Sequence, residues 1–185
     1  MNKDQNIKTY IRATNRLLQQ KRFQEAILKC AKAVSLDPNN ASVYTNWAIA
    51  LFGLKCLDKA AIKLTRALQV NPTFTRAHYN LGGLNYHLGN YEEARKYFKL
   101  TDPQRSYPQL LLYWGMSFQN EGNYQEAITK WEVMIANSPK TTLPYIYCCM
   151  ALCCQGKRSD ARLLYERALG IQQPIQTKHK IVGFL

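Results

Sequence analysis

Two kinds of apolar position, one small and one bulky, each recur along the chain with a period close to 34 residues. The small positions are alanines separated by 34, 34, 33 and 34 residues, namely Ala26, Ala60, Ala94, Ala127 and Ala161. A bulky residue follows each alanine four positions later, and these residues are Cys30, Leu64, Phe98, Trp131 and Tyr165. Because residues four apart share a helix face, the pattern predicts recurring helices with packed apolar faces.

Glycines and prolines punctuate the same period and predict two helices in each unit. Glycine accepts the left-handed conformation after a helix, so the turn between the two helices is assigned to Gly89, Gly122 and Gly156. Proline disfavours helix in the residue before it, so the second helix ends at Pro38, Pro72 and Pro139. The alanine then lies where the two helices approach most closely, and a larger side chain would force them apart.

This pattern resembles the tetratricopeptide-repeat family, in which an aromatic residue, Leu-Gly, a small Ala and a Pro recur in each repeat. The best matches are Leu81-Gly82 and Trp114-Gly115 with Phe118. The resemblance covers residues 7–175 and implies an all-α, right-handed superhelical solenoid of five helix-turn-helix repeats. In such a solenoid the first helix of each repeat lines the concave groove and the second helix lies on the convex side.

The period divides the chain into a lead-in, five repeats and a tail. These are 1–6, then 7–40, 41–74, 75–107, 108–141 and 142–175, and finally 176–185. The family's tryptophan position holds Tyr10, Tyr44, His78, Leu111 and Tyr145. The third repeat is one residue short and carries Asp102-Pro103 early, so we expect its second helix to end prematurely.

Composition and charge narrow the class of protein and of partner. Hydrophobic residues make up 46% and charged residues 20%, as in a folded globular chain. A net charge of +13 favours an acidic peptide, nucleic acid or an anionic membrane surface. The polar stretch 1–8 lacks the apolar segment of a signal peptide, and the six cysteines lack the spacing of a disulfide scaffold, so we expect reduced thiols and a cytoplasmic protein.

No catalytic or metal-binding pattern stands out. The histidines, His78, His87 and His179, lie in unrelated settings, and there is no P-loop, dinucleotide-binding or HExxH motif. Cys148-Cys149 and Cys153-Cys154 suggest a metal site, but the first pair occupies packing positions, and structural zinc needs four converging ligands. We therefore predict no enzyme, no cofactor and no metal.

The groove positions implied by the resemblance change character along the chain. The candidate peptide-binding residues are Lys8, Arg12, Asn15, Asn46, Arg76, Asn80, Tyr113, Met116, Tyr147 and Met150. The first six are cationic or amide side chains, and the last four are aromatic residues and methionines. This order predicts an extended peptide with an acidic or C-terminal segment at one end and an apolar side chain at the other.

Asn46 and Asn80 occupy the same position in consecutive repeats. An asparagine both donates and accepts hydrogen bonds, so such a series pairs with a peptide backbone without reading its sequence. Asn15 and Asn46 also match the clamp with which some relatives hold the C-terminal carboxylate of heat-shock chaperones. Ile11 and Asn80 replace basic residues of that clamp, so the match is incomplete.

We accordingly predict an adaptor, scaffold or chaperone. The alternative is nucleic-acid or anionic-surface binding through basic residues of the second helices, among them Lys29, Lys32, Lys59, Lys63, Arg66, Arg95, Lys96, Lys99, Arg162 and Arg167. A solvated outer face is the simpler interpretation of those residues. The basic, then apolar tail 176–185 further predicts a homo-oligomer if it docks on another copy.

Overall fold

The computed structural model describes residues 3–101, 107 and 109–171, and these contain ten α-helices and no strand. Consecutive helices form pairs, so the all-α fold of repeated helix pairs predicted from the sequence is confirmed. No helix within the described ranges is long and apolar enough to cross a membrane. The chain divides between Arg105 and Ser106 into an N-terminal and a C-terminal unit.

The N-terminal unit contains three helix pairs. Its helices are α1 (Lys3–Gln19), α2 (Phe23–Leu36), α3 (Ala41–Gly53), α4 (Leu57–Val70), α5 (Thr75–His87) and α6 (Tyr91–Lys99). Helices α2 and α4 pack on the first helix of the following pair, and α3 also contacts α1 and α5. The first helices of the three pairs therefore lie side by side.

The C-terminal unit contains two helix pairs. Its helices are α7 (Leu110–Gln119), α8 (Tyr124–Asn137), α9 (Thr142–Cys154) and α10 (Arg158–Ile171). Helix α8 packs on both α7 and α9, and α9 packs on α10. The core of the C-terminal unit consists of Ala127, Ile128, Trp131, Cys148 and Ala151. The tail 176–185, on which the oligomer prediction rests, lies outside the described residues.

The predicted packing alanines are buried in all five pairs, with at most 1% of the residue exposed. The bulky residues four positions later are also buried, except that Tyr165 is only half-buried. Two of them fill space left by glycines of the facing helix. A Cβ on Gly82 would overlap the ring of Phe98, and a Cβ on Gly115 would overlap the ring of Trp131.

The turn between the two helices of a pair has the same left-handed backbone in all five pairs. Gly89, Gly122 and Gly156 have φ angles of 80°, 79° and 76°, which confirms the predicted glycine turns. The first two pairs place lysines at this position, Lys21 with φ 57° and Lys55 with φ 62°. The lysines adopt a conformation that a Cβ makes costly, so glycine was an incomplete marker of the turn.

Hydrogen bonds from the family's tryptophan position join successive pairs. The Tyr44 and Tyr145 hydroxyls each donate to the carbonyl of the proline six residues earlier, at 3.1 Å. His78 Nε2 donates to the Pro72 carbonyl at 2.8 Å, which makes Nε2 the protonated nitrogen. An aromatic donor therefore ties a first helix to the end of the preceding second helix.

Helix α6 is the shortest second helix. It has 9 residues, whereas α2, α4, α8 and α10 have 14 each. The predicted early end of this helix is confirmed. Asp102 and Pro103, on which the prediction rested, lie outside the described residues.

Candidate functional site

The polar candidates all lie on the first helices of the N-terminal unit. Lys8, Arg12 and Asn15 are on α1, Asn46 is on α3, and Arg76 and Asn80 are on α5. Because α3 contacts both α1 and α5, these side chains lie on neighbouring helices. The structure thus brings the polar half of the predicted site together within one unit.

Asn46 lies behind Asn15 and not in an open groove. Asn46 is 0% exposed, and its Nδ2 donates to Asn15 Oδ1 at 2.8 Å. The Oδ1 atom of Asn46 is buried and has no hydrogen-bond partner among the described residues. The sequence interpretation gave Asn46 direct contact with a peptide, whereas in the structure its amide holds the side chain of Asn15.

This hydrogen bond determines which way the Asn15 amide faces. The oxygen and the nitrogen of an amide are bonded to the same trigonal carbon atom and point in different directions. With Oδ1 turned toward Asn46, the Nδ2 group of Asn15 is directed away from it, and Asn15 is an exposed residue. The pair therefore presents an oriented N–H donor at the surface of α1.

Asn80 occupies a different environment from Asn46. It is half-buried, and its Nδ2 donates to the Arg76 carbonyl of its own helix at 2.6 Å. It lines a small cavity whose other walls are apolar, formed by Ala48, Ile49, Phe52, Ala60, Leu64 and Leu84. Ile49 is the residue that corresponds to Asn15 one period later, so the second cleft between first helices is apolar where the first is polar.

Three cations lie on first helices of the same unit as the Asn15 amide. Lys8 and Arg12 are exposed on α1, and Arg76 is half-buried on α5. From Lys8, the helical periodicity places Asn15 about 20° and Arg12 about 40° around the axis, so the three share one face of α1. This face combines an amide donor with positive charge.

The aromatic candidates lie in the C-terminal unit and form a separate set. Tyr113, Met116 and Tyr147 are half-buried, and Met150 is 41% exposed. Met116 and Tyr147 pack on the core of the C-terminal unit, and the Tyr147 ring lies 5.3 Å from that of Trp131. Both side chains thus contribute to packing as well as to the surface.

Two tryptophan–lysine contacts were missed by sequence reasoning. Lys63 Nζ lies 3.9 Å from the centre of the Trp47 ring, and Lys130 Nζ lies 4.6 Å from that of Trp114. At these distances a cation is attracted to the electron-rich ring face. Lys63 was assigned to a solvated outer face, and that assignment is corrected here. The signal was present in the shared sixteen-residue separation of each pair.

The histidines take structural positions where they are described. His78 is buried and bonded to Pro72. His87 lies against Phe52, with ring centres 5.1 Å apart, and partial burial followed by the charge of Lys55 lowers its pKa. His179 lies outside the described residues.

Cys30, Cys148 and Cys149 are buried packing residues, whereas Cys56 and Cys153 are half-buried and Cys154 is exposed. Burial raises the pKa of Cys30 to about 11, and burial followed by the charge of Glu132 raises that of Cys148 to about 12. Burial also raises the pKa of Cys149 to about 11, and its thiol donates to the Ala161 carbonyl at 3.3 Å. Across the described ranges, no three His, Cys, Asp or Glu side chains are grouped to hold a metal ion.

Paired helices, small residues at the crossings and left-handed turns define a helical-repeat protein. The chain belongs to the tetratricopeptide-repeat family, whose models match residues 45–110 and 109–141, together more than half of the chain. The resemblance identified from the sequence is thereby confirmed.

Curated relatives share the repeats over a minor part of their own length. The inactive TPR repeat-containing thioredoxin TTL3 of Arabidopsis thaliana is 29% identical over 137 residues, which cover 70% of this chain and 20% of that protein. The Hsp70-Hsp90 organizing protein of Triticum aestivum is 25% identical over 85 residues, which cover 46% of this chain and 15% of that protein. The chain thus spans a fifth or less of the length of these relatives.

A solved structure supports the fold. Pseudomonas aeruginosa PilF superimposes with a TM-score of 0.82 at 18% identity, covering 95% of this chain and 80% of that one. At this level of identity the likeness establishes the helical-repeat architecture alone.

Proposed function

We propose that the N-terminal unit binds an extended peptide with an acidic or C-terminal segment along the face formed by α1, α3 and α5. The protein then acts as an adaptor, scaffold or chaperone, and the proposal assigns it no catalytic step. The observation that carries the proposal is the hydrogen bond from buried Asn46 to exposed Asn15.

Asn15 is the side chain that would contact the peptide first. Its outward Nδ2 group is a donor for a peptide carbonyl or a terminal carboxylate, both of which accept hydrogen bonds. Because Asn46 already fixes the orientation of this amide, little side-chain freedom is lost on binding. Asn46 therefore acts as a positioning residue, and its own contact with the peptide is not part of the proposal.

Lys8, Arg12 and Arg76 would supply the charge. Cations beside a fixed donor attract an acidic segment and speed its association, and they strengthen the hydrogen bond to a carboxylate. The name of the Hsp70-Hsp90 organizing protein, which shares the repeats, is in keeping with a protein partner. Ile11 and Asn80 stand where the relatives' clamp has basic residues. We therefore expect the ligand to differ from the one that the clamp of those relatives holds.

The C-terminal unit would contribute apolar recognition. Met150 is the most exposed of its four candidates, and methionine adapts to varied ligand shapes. We propose that Tyr113, Met116, Tyr147 and Met150 receive an apolar side chain of a partner. This part of the proposal is tested separately by Met150→Ser, which should weaken binding of an apolar partner peptide and leave that of acidic peptides unchanged.

The decisive experiment compares peptide binding by Asn15→Ala with that by a matched asparagine variant. A set of fluorescent acidic peptides, each made with a free and with an amidated C-terminus, is titrated by anisotropy. Loss of one hydrogen bond from a buried peptide group should cost about 1–2 kcal/mol, or roughly 5–30-fold in Kd. Asn39→Ala, an exposed position in the turn before α3, should bind as the unaltered protein does.

Two results would contradict the proposal. One is the absence of measurable binding by any peptide of the set. The other is binding that survives Asn15→Ala but is abolished by replacing Lys32, Lys59 and Lys99, which are exposed on the second helices. The second outcome would favour an anionic surface or nucleic acid on the outer basic face.

A further inference from the structure

Helix α1 carries a row of cations at four-residue intervals. Lys8, Arg12 and Arg16 are all exposed, and within the described side chains no ion pair involves them. The residues that correspond to Arg16 in the other four pairs are buried, namely Ala50, Leu84, Ser117 and Ala151.

Solubility alone does not account for this row. The exposed face of α1 also contains Gln5, Thr9 and Gln19, so neutral polar residues suffice to solvate it. Like charges four residues apart repel one another and weaken a helix. A row of cations that form no ion pair within the described side chains therefore lowers the local stability of α1. Residues that weaken a helix in this way are expected at functional sites.

The spacing of the row matches an extended polypeptide. Residues four apart in a helix are separated by about 6 Å along its axis. In an extended strand, side chains on one side recur every second residue, at about 6.6 Å. Three cations on α1 can therefore face three side chains at alternate positions of a peptide that runs along the helix.

We infer that α1 recognises an acidic segment in which Asp or Glu recurs at every second residue. The inference rests on the proposed function of the N-terminal unit and specifies the class of peptide. Around the helix axis Asn15 lies about 20° from Lys8, about 60° from Arg12 and about 100° from Arg16, so its outward amide lies to one side of the row. Backbone pairing at Asn15 and charge pairing along the row would then act on the same strand.

A peptide fits this face better than a nucleic acid does. Single-stranded nucleic acids bind through cationic grooves that also carry aromatic side chains for base stacking. The aromatic residue of α1 is Tyr10, about 200° around the axis from Lys8, and it packs toward the cluster of Cys30, Ala33 and Val43. The cationic row therefore has no stacking partner on its own helix.

The test uses two synthetic peptides of identical composition. One alternates glutamate with glycine or serine over ten residues, and the other groups the same glutamates in one block. The full chain should bind the alternating peptide at least fivefold more tightly at moderate salt. The triple variant Lys8→Gln, Arg12→Gln, Arg16→Gln should lose this preference while its melting temperature stays the same or rises.

A matched variant controls for the loss of net charge. Lys32→Gln, Lys59→Gln, Lys99→Gln removes the same charge from exposed positions of α2, α4 and α6 and should keep the preference. Equal affinity for the two peptides, or equal loss in both triple variants, would overturn the inference. So would tighter binding of a single-stranded oligonucleotide of the same charge that is displaced by neither peptide.

The result separates this inference from the proposed function. If Asn15→Ala weakens peptide binding but the α1 triple variant does not, the N-terminal unit binds peptides without reading acidic spacing. If neither variant affects binding, both proposals fail.

Discussion

The second and third helix pairs of the N-terminal unit, α3–α4 and α5–α6, build one motif from different side chains. In α3–α4, Ala48 and Leu64 line the same cavity at the helix crossing. In α5–α6, Gly82 occupies the place of Ala48 and gives room to the larger Phe98. The smaller residue on one helix thus accompanies the larger residue on the other.

The same two pairs differ at their joints. Tyr44 and His78 both donate to the preceding proline carbonyl, one through a hydroxyl and the other through a ring nitrogen. Lys55 and Gly89 take the same left-handed turn, although only glycine does so without steric cost. At each of these positions the fold therefore requires a particular side-chain volume, hydrogen-bond donor or backbone angle. More than one residue type can meet each requirement.

The largest effect should come from disturbing the volume match in α5–α6. Gly82→Ala places a Cβ in the Phe98 ring, and overpacking of this kind costs about 1–3 kcal/mol of unfolding free energy. Phe98→Leu in the same chain recreates the residue pair of α3–α4 and should recover most of that loss. Urea unfolding of the two single variants and the double variant measures the coupling between them.

The neighbouring glycine provides the control. A Cβ on Gly83 would meet no atom within 4 Å, so Gly83→Ala should stabilise the helix by about 0.5–1 kcal/mol. If both alanine variants raise stability equally, or if Phe98→Leu adds its own cost to that of Gly82→Ala, the volume match is not what sets these residue types.

The sequence was sufficient for the features that recur at a fixed period. The alanines, the three glycine turns and the early end of α6 were predicted because each repeats, or visibly breaks, the 34-residue pattern. The lysine turns were missed because propensity assigns a left-handed backbone to glycine. In Lys21 and Lys55 the packing of the flanking helices overrides that preference.

The candidate site was predicted less well because the period fixes which positions correspond but not how deep each one lies. Asn46 and Asn80 correspond in sequence, yet Asn46 is buried against Asn15 while Asn80 faces an apolar cavity. The difference arises from their neighbours one repeat earlier, Asn15 and Ile49. The hydrogen bond between Asn15 and Asn46 depends on both residues, so it is missed when each position is considered alone.

An intermediate effect is expected at the joints between pairs. Tyr44→Phe and His78→Phe each remove the donor to a proline carbonyl and should each cost about 1 kcal/mol. His78→Tyr restores a hydroxyl donor at this position and should recover part of that loss relative to His78→Phe. Thermal unfolding at neutral pH compares the three variants. Equal melting temperatures for the unaltered protein and both phenylalanine variants would show that these bonds contribute nothing to stability.

The smallest effect concerns the left-handed turns. Lys55→Gly relieves a backbone cost of about 1–2 kcal/mol but loosens the unfolded chain by about 0.5–1 kcal/mol, so a net gain near 0.5 kcal/mol is expected. Gly89→Lys should lose stability by a similar amount, which chemical unfolding detects.

Lys55→Ala separates the effect of charge from that of backbone strain, because it removes the ammonium group and keeps the Cβ. Since the charge of Lys55 helps to lower the pKa of His87, both Lys55 variants should raise that pKa in an NMR titration, while only the glycine variant gains stability. A stability gain of equal size in Lys55→Ala would assign the effect to charge and remove the argument from backbone strain.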